Sequence, residues 1–145
     1  MNARDFFYEF GKLIYQIDGV YENYGRNCKI SPPTLLWILY SLNDGKEHSQ
    51  KQICADWSIP RSTANTIIKE LEEKEYIYLS QIKGKRRELN ISLTKSGKEY
   101  ADTLLKDLYF KEKEIYKEIQ KPDETLQVLK NLAEKMLIIS NEEKR

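Results

Sequence analysis

Histidine and cysteine are almost missing from this chain: of 145 residues one is histidine, His48, and two are cysteines, Cys28 and Cys54. A lone imidazole with no second histidine or paired thiol beside it cannot assemble a metal site, and its polar turn before Ser49 gives it a surface role. Two cysteines set no disulfide framework and are expected as reduced thiols of a cytoplasmic protein. Glycines number only six. None falls in a glycine-rich phosphate loop, and no Ser/His/Asp or Cys/His pairing marks a nucleophile. No apolar run approaches the roughly 18–20 residues that cross a bilayer. The opening residues, with Asn2, Arg4 and Asp5, are not those of a signal peptide. No repeat or low-complexity linker is visible. Catalysis, a bound metal or cofactor and a membrane span therefore have no basis in the sequence.

What is present is charge. Charged residues make up 32% and hydrophobic residues 40%, and 145 residues suit one domain with a real core. Net charge is only +1, but its distribution is uneven: Lys46 to Lys98 holds 11 Lys/Arg against 7 Asp/Glu, and the rest holds 13 against 16. A positive segment inside a near-neutral chain is the footprint of a surface that meets a polyanion.

Periodicity supplies the elements. Phe6, Phe10, Leu13, Ile17, Tyr21 and Tyr24 recur at spacings of three and four, which predicts a helix from about Asp5 to Tyr24. Ser31 is expected to cap a second helix that has prolines in its first turn and the inner set Leu35, Ile38, Leu39 and Leu42. Ser49 caps a third that ends near Trp57. A fourth runs from about Arg61 to Lys74, with Ala64, Ile67, Ile68 and Leu71 inside. Tyr76 to Ile82 and Glu88 to Leu93 predict two strands, the second with Leu89, Ile91 and Leu93 inward, and Lys46 to His48 is an extended piece that can pair beside them. Thr94 caps a long helix striped by Tyr100, Leu104, Leu108, Ile115 and Ile119. Lys121-Pro122 breaks it, and Leu126, Leu129, Leu132, Ala133, Met136 and Leu137 stripe a last helix.

Two short helices, a tight turn and a hairpin with a cationic tip make a winged helix-turn-helix, so the fold expected is mainly α with a small β-hairpin wing. Residues 31–98 form the winged domain. Residues 1–30 and 99–145 carry helices whose apolar stripes are wider than a lone surface helix needs, and they are expected to form the dimerisation region of a homodimer. A helix fits the major groove of duplex DNA and a basic wing reaches the neighbouring minor groove. The fourth helix would present Ser62, Thr63, Asn65, Thr66 and Lys69 to bases, with Asn65 suited to bidentate pairing with adenine and Arg61 to a phosphate or base. Lys83, Lys85, Arg86 and Arg87 put four cations in five residues at the wing. In a dimer such cations make affinity fall by roughly 10³–10⁵ between 50 and 200 mM salt, so specificity must come from the fourth helix. Ser49 and Gln50 open the third helix, where backbone N–H groups favour a phosphate, although capping is the simpler role for Ser49.

Taken in order, Ile53-Cys54-Ala55, Ser62-Thr63-Ala64-Asn65, Leu71-Glu72-Glu73-Lys74, Arg87 and Leu93-Thr94-Lys95-Ser96-Gly97 resemble the MarR (multiple antibiotic resistance regulator) family over roughly residues 30–105. The resemblance implies a winged-helix dimer, joined through its terminal helices, that binds pseudo-palindromic double-stranded DNA operators. It implies a transcription factor, most often a repressor, released in many members by a small aromatic ligand, with Arg87 as the minor-groove arginine. Two positions depart from the pattern. Lys85 stands where the wing usually has an aspartate that orients the arginine, which implies a looser wing that relies on bulk charge. Glu75 stands where a glycine usually follows the fourth helix.

Seven tyrosines, at 8, 15, 21, 24, 40, 76 and 100, fall near the seam between the terminal helices and the winged domain. Tyr21, Tyr24, Tyr40 and Trp37 are the candidates for an aromatic ligand, although packing is the simpler role for most of the tyrosines, and Trp37 and Trp57 are expected in the core. Cys28 lies between Arg26 and Lys29, where a redox-sensing thiol is one reading; Cys54 reads as an inert core thiol. The alternatives to a DNA-binding regulator are a winged-helix module for protein partners and a thiol-based redox-sensing regulator. An enzyme is not expected.

Overall fold

The side chain of Asn2 accepts a hydrogen bond from the Asp5 N–H at 2.9 Å and so caps helix α1, which spans Ala3–Asn27. The structure is a computed structural model that describes residues 1–142. The chain divides into two compact units, the first Met1–Lys106 and the second beginning at Asp107.

In the first unit α1 is followed by α2 (Thr34–Leu42), which starts later than expected. Ser31 is not its N-cap: the helix is preceded by Pro33 with no side-chain cap bond. Pro32 and Pro33 have no N–H to offer a serine hydroxyl, and tight turn bonds, Leu35 N to Pro32 O at 2.9 Å and Leu36 N to Pro33 O at 3.2 Å, open the helix instead. The buried set is Leu36, Ile38, Leu39 and Leu42, so Leu36 takes the place expected for Leu35. Adjacent leucines are equivalent to a periodicity argument, and only the neighbours around them choose.

Strand β1 (His48–Ser49) leads into α3 (Gln50–Trp57), where the Ser49 hydroxyl accepts from Gln52 N at 3.0 Å and caps the helix as expected. Ser58, at φ 51°, makes the turn into α4 (Arg61–Glu73). Ala64, Ile67, Ile68 and Leu71 are all buried on its inner face. Glu75 then adopts φ 60°, a left-handed conformation that glycine would take without steric cost. The hairpin of β2 (Ile77–Ile82) and β3 (Lys85–Leu93) completes an antiparallel sheet of order β1-β3-β2, with His48 opposite Ile91. Ile91 is fully buried, but Leu89 and Leu93 are only half-buried while Ser92 is buried. Strict alternation of buried and exposed residues thus fails along this strand.

Thr94 caps α5 (Lys95–Tyr116), its Oγ1 accepting from Gly97 N at 3.0 Å. The buried positions of the first turns are Ala101 and Leu105, one residue past the expected Tyr100 and Leu104, because the Tyr76 and Tyr100 rings stack with centroids 4.3 Å apart at the edge of the core. Ile38, Leu39, Leu42, Ile91 and Leu105 are the largest fully buried side chains. In the second unit α5 ends at Tyr116, before the expected Lys121-Pro122 break, and α6 spans Pro122–Glu142. Ile115 and Ile119, as well as Leu126, Leu129, Met136 and Leu137 of α6, are exposed in a single copy.

Candidate nucleic-acid interface

The outer face of α4 is polar for a simple reason: with four apolar residues buried at helical spacing, the positions between them must face out. Arg61, Ser62, Asn65, Thr66 and Lys69 are exposed and Thr63 is half-buried. Thr66 Oγ1 donates to the Ser62 carbonyl within the helix at 3.2 Å, leaving its oxygen as an acceptor. The amide of Gln50, in the first turn of α3, donates to the Asn65 carboxamide oxygen. Gln50 thereby fixes which way Asn65 presents its own N–H groups, so the two helices share one polar surface.

The wing is shaped by an irregularity. Gln81 pairs with Leu89 and Ile82 with Lys85, so Arg86, Arg87 and Glu88 of β3 have no β2 residue opposite them. Gly84, at φ 82°, makes the tip. The bulge swings these residues out of the ladder. Lys83, Lys85 and Arg87 are exposed, and the Arg86 side chain lies outside the described residues. The Lys85 ammonium lies 3.3 Å from the Glu88 carboxylate, and Lys51 of α3 lies 3.5 Å from the same group. The Lys85 hydrogen bond holds the Glu88 carboxyl below its ordinary range. Glu88 thus holds Lys85 and Lys51 on the other side of Arg87.

These parts converge. A cleft of about 600 Å³ is lined by Gln50, Lys51, Arg61, Asn65, Arg87 and Glu88, which are the starts of both helices and the bulged strand. Lys51 and Glu88 were not singled out from the sequence. Lys51 could have been, as a cation in the first turn after the Ser49 cap; Glu88 needs the bulge. Cys54 also lines this cleft and is half-buried, not core. Burial still pushes its thiol pKa up, against a smaller pull from Arg61. His48 is not in a free turn but in β1, half-buried, with Nε2 hydrogen-bonded to Asp44 Oδ1 at 2.8 Å.

Trp37 stacks on Trp57 with centroids 4.3 Å apart and touches Tyr21 at 4.8 Å and Tyr40 at 5.9 Å. Trp57 is 37% exposed and so is not a core residue; its Nε1 donates to Ser41 Oγ at 2.6 Å, which keeps the indole edge at the surface. A hollow of about 410 Å³ between α1 and α2 is lined by Tyr21 and Trp37 together with Asp18, Arg26 and Lys29. Tyr40 and Tyr24 do not line it; Tyr24 is buried and its hydroxyl donates to the Leu104 carbonyl at 2.6 Å. Tyr8 and Tyr15 lie exposed on α1.

Among the described residues no helix is long and apolar enough to cross a membrane. No curated protein matches the chain. Among solved structures it is similar to a MarR family regulator from Neisseria meningitidis, with 26% identity, a TM-score of 0.80 and coverage of 98% of this chain and 99% of that one. It is also similar to reduced AbfR bound to DNA (17% identity, TM-score 0.63, coverage 94% and 93%). NadR in complex with 4-hydroxyphenylacetate is a third (15% identity, TM-score 0.63, coverage 88% and 89%). Residues 32–88, from the prolines before α2 to the bulge of β3, match the sequence model of the MarR family. The winged-helix fold, in the same element order, is thus similar to that of MarR family transcriptional regulators.

Proposed function

We propose that the protein acts as a homodimer that binds a pseudo-palindromic DNA operator, represses transcription there, and releases the operator when a small aromatic ligand binds. Convergence carries this reading: Lys51, Arg61, Asn65 and Arg87, from three elements, line one open cleft. Residues 31–98 are the DNA-binding domain. Ser62, Thr63, Asn65, Thr66 and Lys69 face the major groove, Arg61 and the Ser49–Gln50 turn meet phosphates, and Lys83, Lys85, Arg86 and Arg87 reach the flanking backbone and minor groove. The DNA-bound state of the similar AbfR supports this placement.

Dimerisation through residues 1–30 and 99–145 is supported by the apolar side chains that a single copy leaves bare, among them Phe6, Leu13 and Ile17 of α1 and Leu126, Leu137 and Ile138 of α6. Bare patches of this kind mark association surfaces. A phenolic ligand, as in the similar NadR complex, suits the hollow that holds Tyr21 and Trp37. Selecting duplexes from a random pool and sizing the complex tests the reading: two chains per duplex are expected, with release on adding 4-hydroxyphenylacetate or salicylate. A monomer indifferent to every duplex at low ionic strength would overturn it.

A further inference from the structure

A second cation-rimmed hollow, of about 300 Å³, lies between the turn after α2, the β2–β3 pair and the first turn of α5. No residue of α3, of α4 or of the wing tip lines it, so it is separate from the DNA-reading cleft. Three lysines do line it, Lys46, Lys95 and Lys98, against one carboxylate, Glu47. Glu47 already accepts a hydrogen bond from Asn90 Nδ2 at 3.2 Å, and Lys98 also holds Asp102 at 2.8 Å.

A second observation comes from the floor of the hollow. Ser92 is only 7% exposed, yet its hydroxyl has no hydrogen-bond partner among the described residues. Buried hydroxyls are nearly always partnered, because an unpaired one forfeits its hydration without compensation. Ser92 stands directly opposite Tyr78 in the ladder, which puts both side chains on one face of the sheet. Tyr78 also lines the hollow and is 51% exposed. An open aromatic ring, three ammonium groups and an unmet hydroxyl donor thus share one site.

We propose that this hollow binds a small phosphomonoester carrying a flat aromatic group. The phosphoryl oxygens lie among Lys46, Lys95 and Lys98 and accept a hydrogen bond from Ser92, while the ring rests against Tyr78. A phosphomonoester is close to a dianion at neutral pH, which suits three cations better than a carboxylate does.

Phenyl phosphate is the probe, titrated by calorimetry and by thermal unfolding against the full chain in phosphate-free buffer. It is expected to bind at millimolar concentration or below, more tightly than inorganic phosphate, and more weakly as salt is raised. Ser92→Ala should do two opposite things. It should weaken phenyl phosphate about tenfold, the effect of one hydrogen bond to a charged group, and raise the unliganded midpoint by about 2–4 °C, since it deletes a buried unmet hydroxyl. A serine with no part in binding would leave the phenyl phosphate affinity unchanged. Absence of binding to the wild-type chain, or a Ser92→Ala variant with unchanged phenyl phosphate affinity, overturns the assignment. The Lys95→Gln/Lys98→Gln variant should keep its affinity for duplex DNA in the same buffer. If duplex affinity fell with it, the hollow would belong to the DNA backbone and the small-ligand assignment would be wrong.

Discussion

The hydroxyl of Thr94 donates to the carbonyl of Glu75 at 2.6 Å, tying the start of α5 to the residue that turns α4 into the wing. Ser96 Oγ reaches the same carbonyl at 3.2 Å, and Glu75 is held at φ 60°. A side chain in this region costs about 1 kcal/mol or more, which the two hydroxyls help to sustain. Glu75→Gly should therefore be neutral or stabilising by up to about 1 kcal/mol, since relief of strain outweighs the entropy of an added glycine. Thr94→Val, which removes this bond and the α5 cap together, should cost about 1–2 kcal/mol. Urea unfolding of both variants checks the pair.

Gly97 is the tightest point of the same joint. A Cβ there would sit 1.8 Å from the Tyr76 carbonyl oxygen, which is itself the acceptor for Thr94 N at 3.0 Å. Backbone cannot move aside as a side-chain tip can. Gly97→Ala should destabilise by about 3 kcal/mol or more, and a midpoint within a degree of wild type in thermal unfolding would contradict so close an approach.

Asp102 makes an acid-dependent link. It accepts from Lys98 at 2.8 Å and from Asn43 Nδ2 at 3.0 Å, and these bonds, Lys98 first, lower its pKa from 3.8. A carboxyl depressed in the folded state stabilises above its unfolded pKa, and that contribution disappears as pH falls through the folded value. Because the pair is exposed, the effect is small: Asp102→Ala should cost about 0.5 kcal/mol near neutrality and progressively less as acid protonates the folded carboxyl. The difference between the two denaturation curves as a function of pH is the measurement.

The buried face of α4, the Ser49 and Thr94 caps and the two strands were legible because each is fixed by residues within one or two turns of one another. Periodicity names Ala64, Ile67, Ile68 and Leu71 without any knowledge of the rest of the chain. What escaped depends on distant neighbours. Leu36 displaces Leu35 and Ala101 displaces Tyr100 because surrounding elements choose between adjacent apolar residues. Trp57 looks like core but is held at the surface by Ser41, sixteen positions away. The site followed the same division: the cations of α4 and the wing were visible one by one, whereas Glu88 between Lys51 and Lys85 depends on a strand bulge that leaves no mark in the sequence.

Asn65 and Arg87 should fail in different ways. Asn65→Ala is expected to cost about 1–3 kcal/mol at one base position and little elsewhere. Arg87→Ala should weaken all duplexes alike and reduce the slope of log affinity against log salt by about 1 for each phosphate left unneutralised. Gln50→Ala should resemble a milder Asn65→Ala, because Gln50 orients that carboxamide, and the double variant should cost less than the two singles added. Salt titrations on a selected operator and on a scrambled duplex separate these outcomes.

Glu88 is a carboxylate inside the cleft proposed to meet DNA, where it engages Lys51 at 3.5 Å and Lys85 at 3.3 Å. Its charge opposes an incoming backbone, and each lysine must leave it to reach a phosphate. Non-specific duplexes, whose affinity is almost wholly electrostatic, should feel this more than an operator whose bases are also read. Glu88→Gln should then raise affinity for scrambled DNA several-fold, raise operator affinity less, and so narrow the ratio between them. A variant that bound both duplexes more weakly would show instead that Glu88 serves to hold the wing in place, the removal of its two lysine pairings outweighing the relief of repulsion.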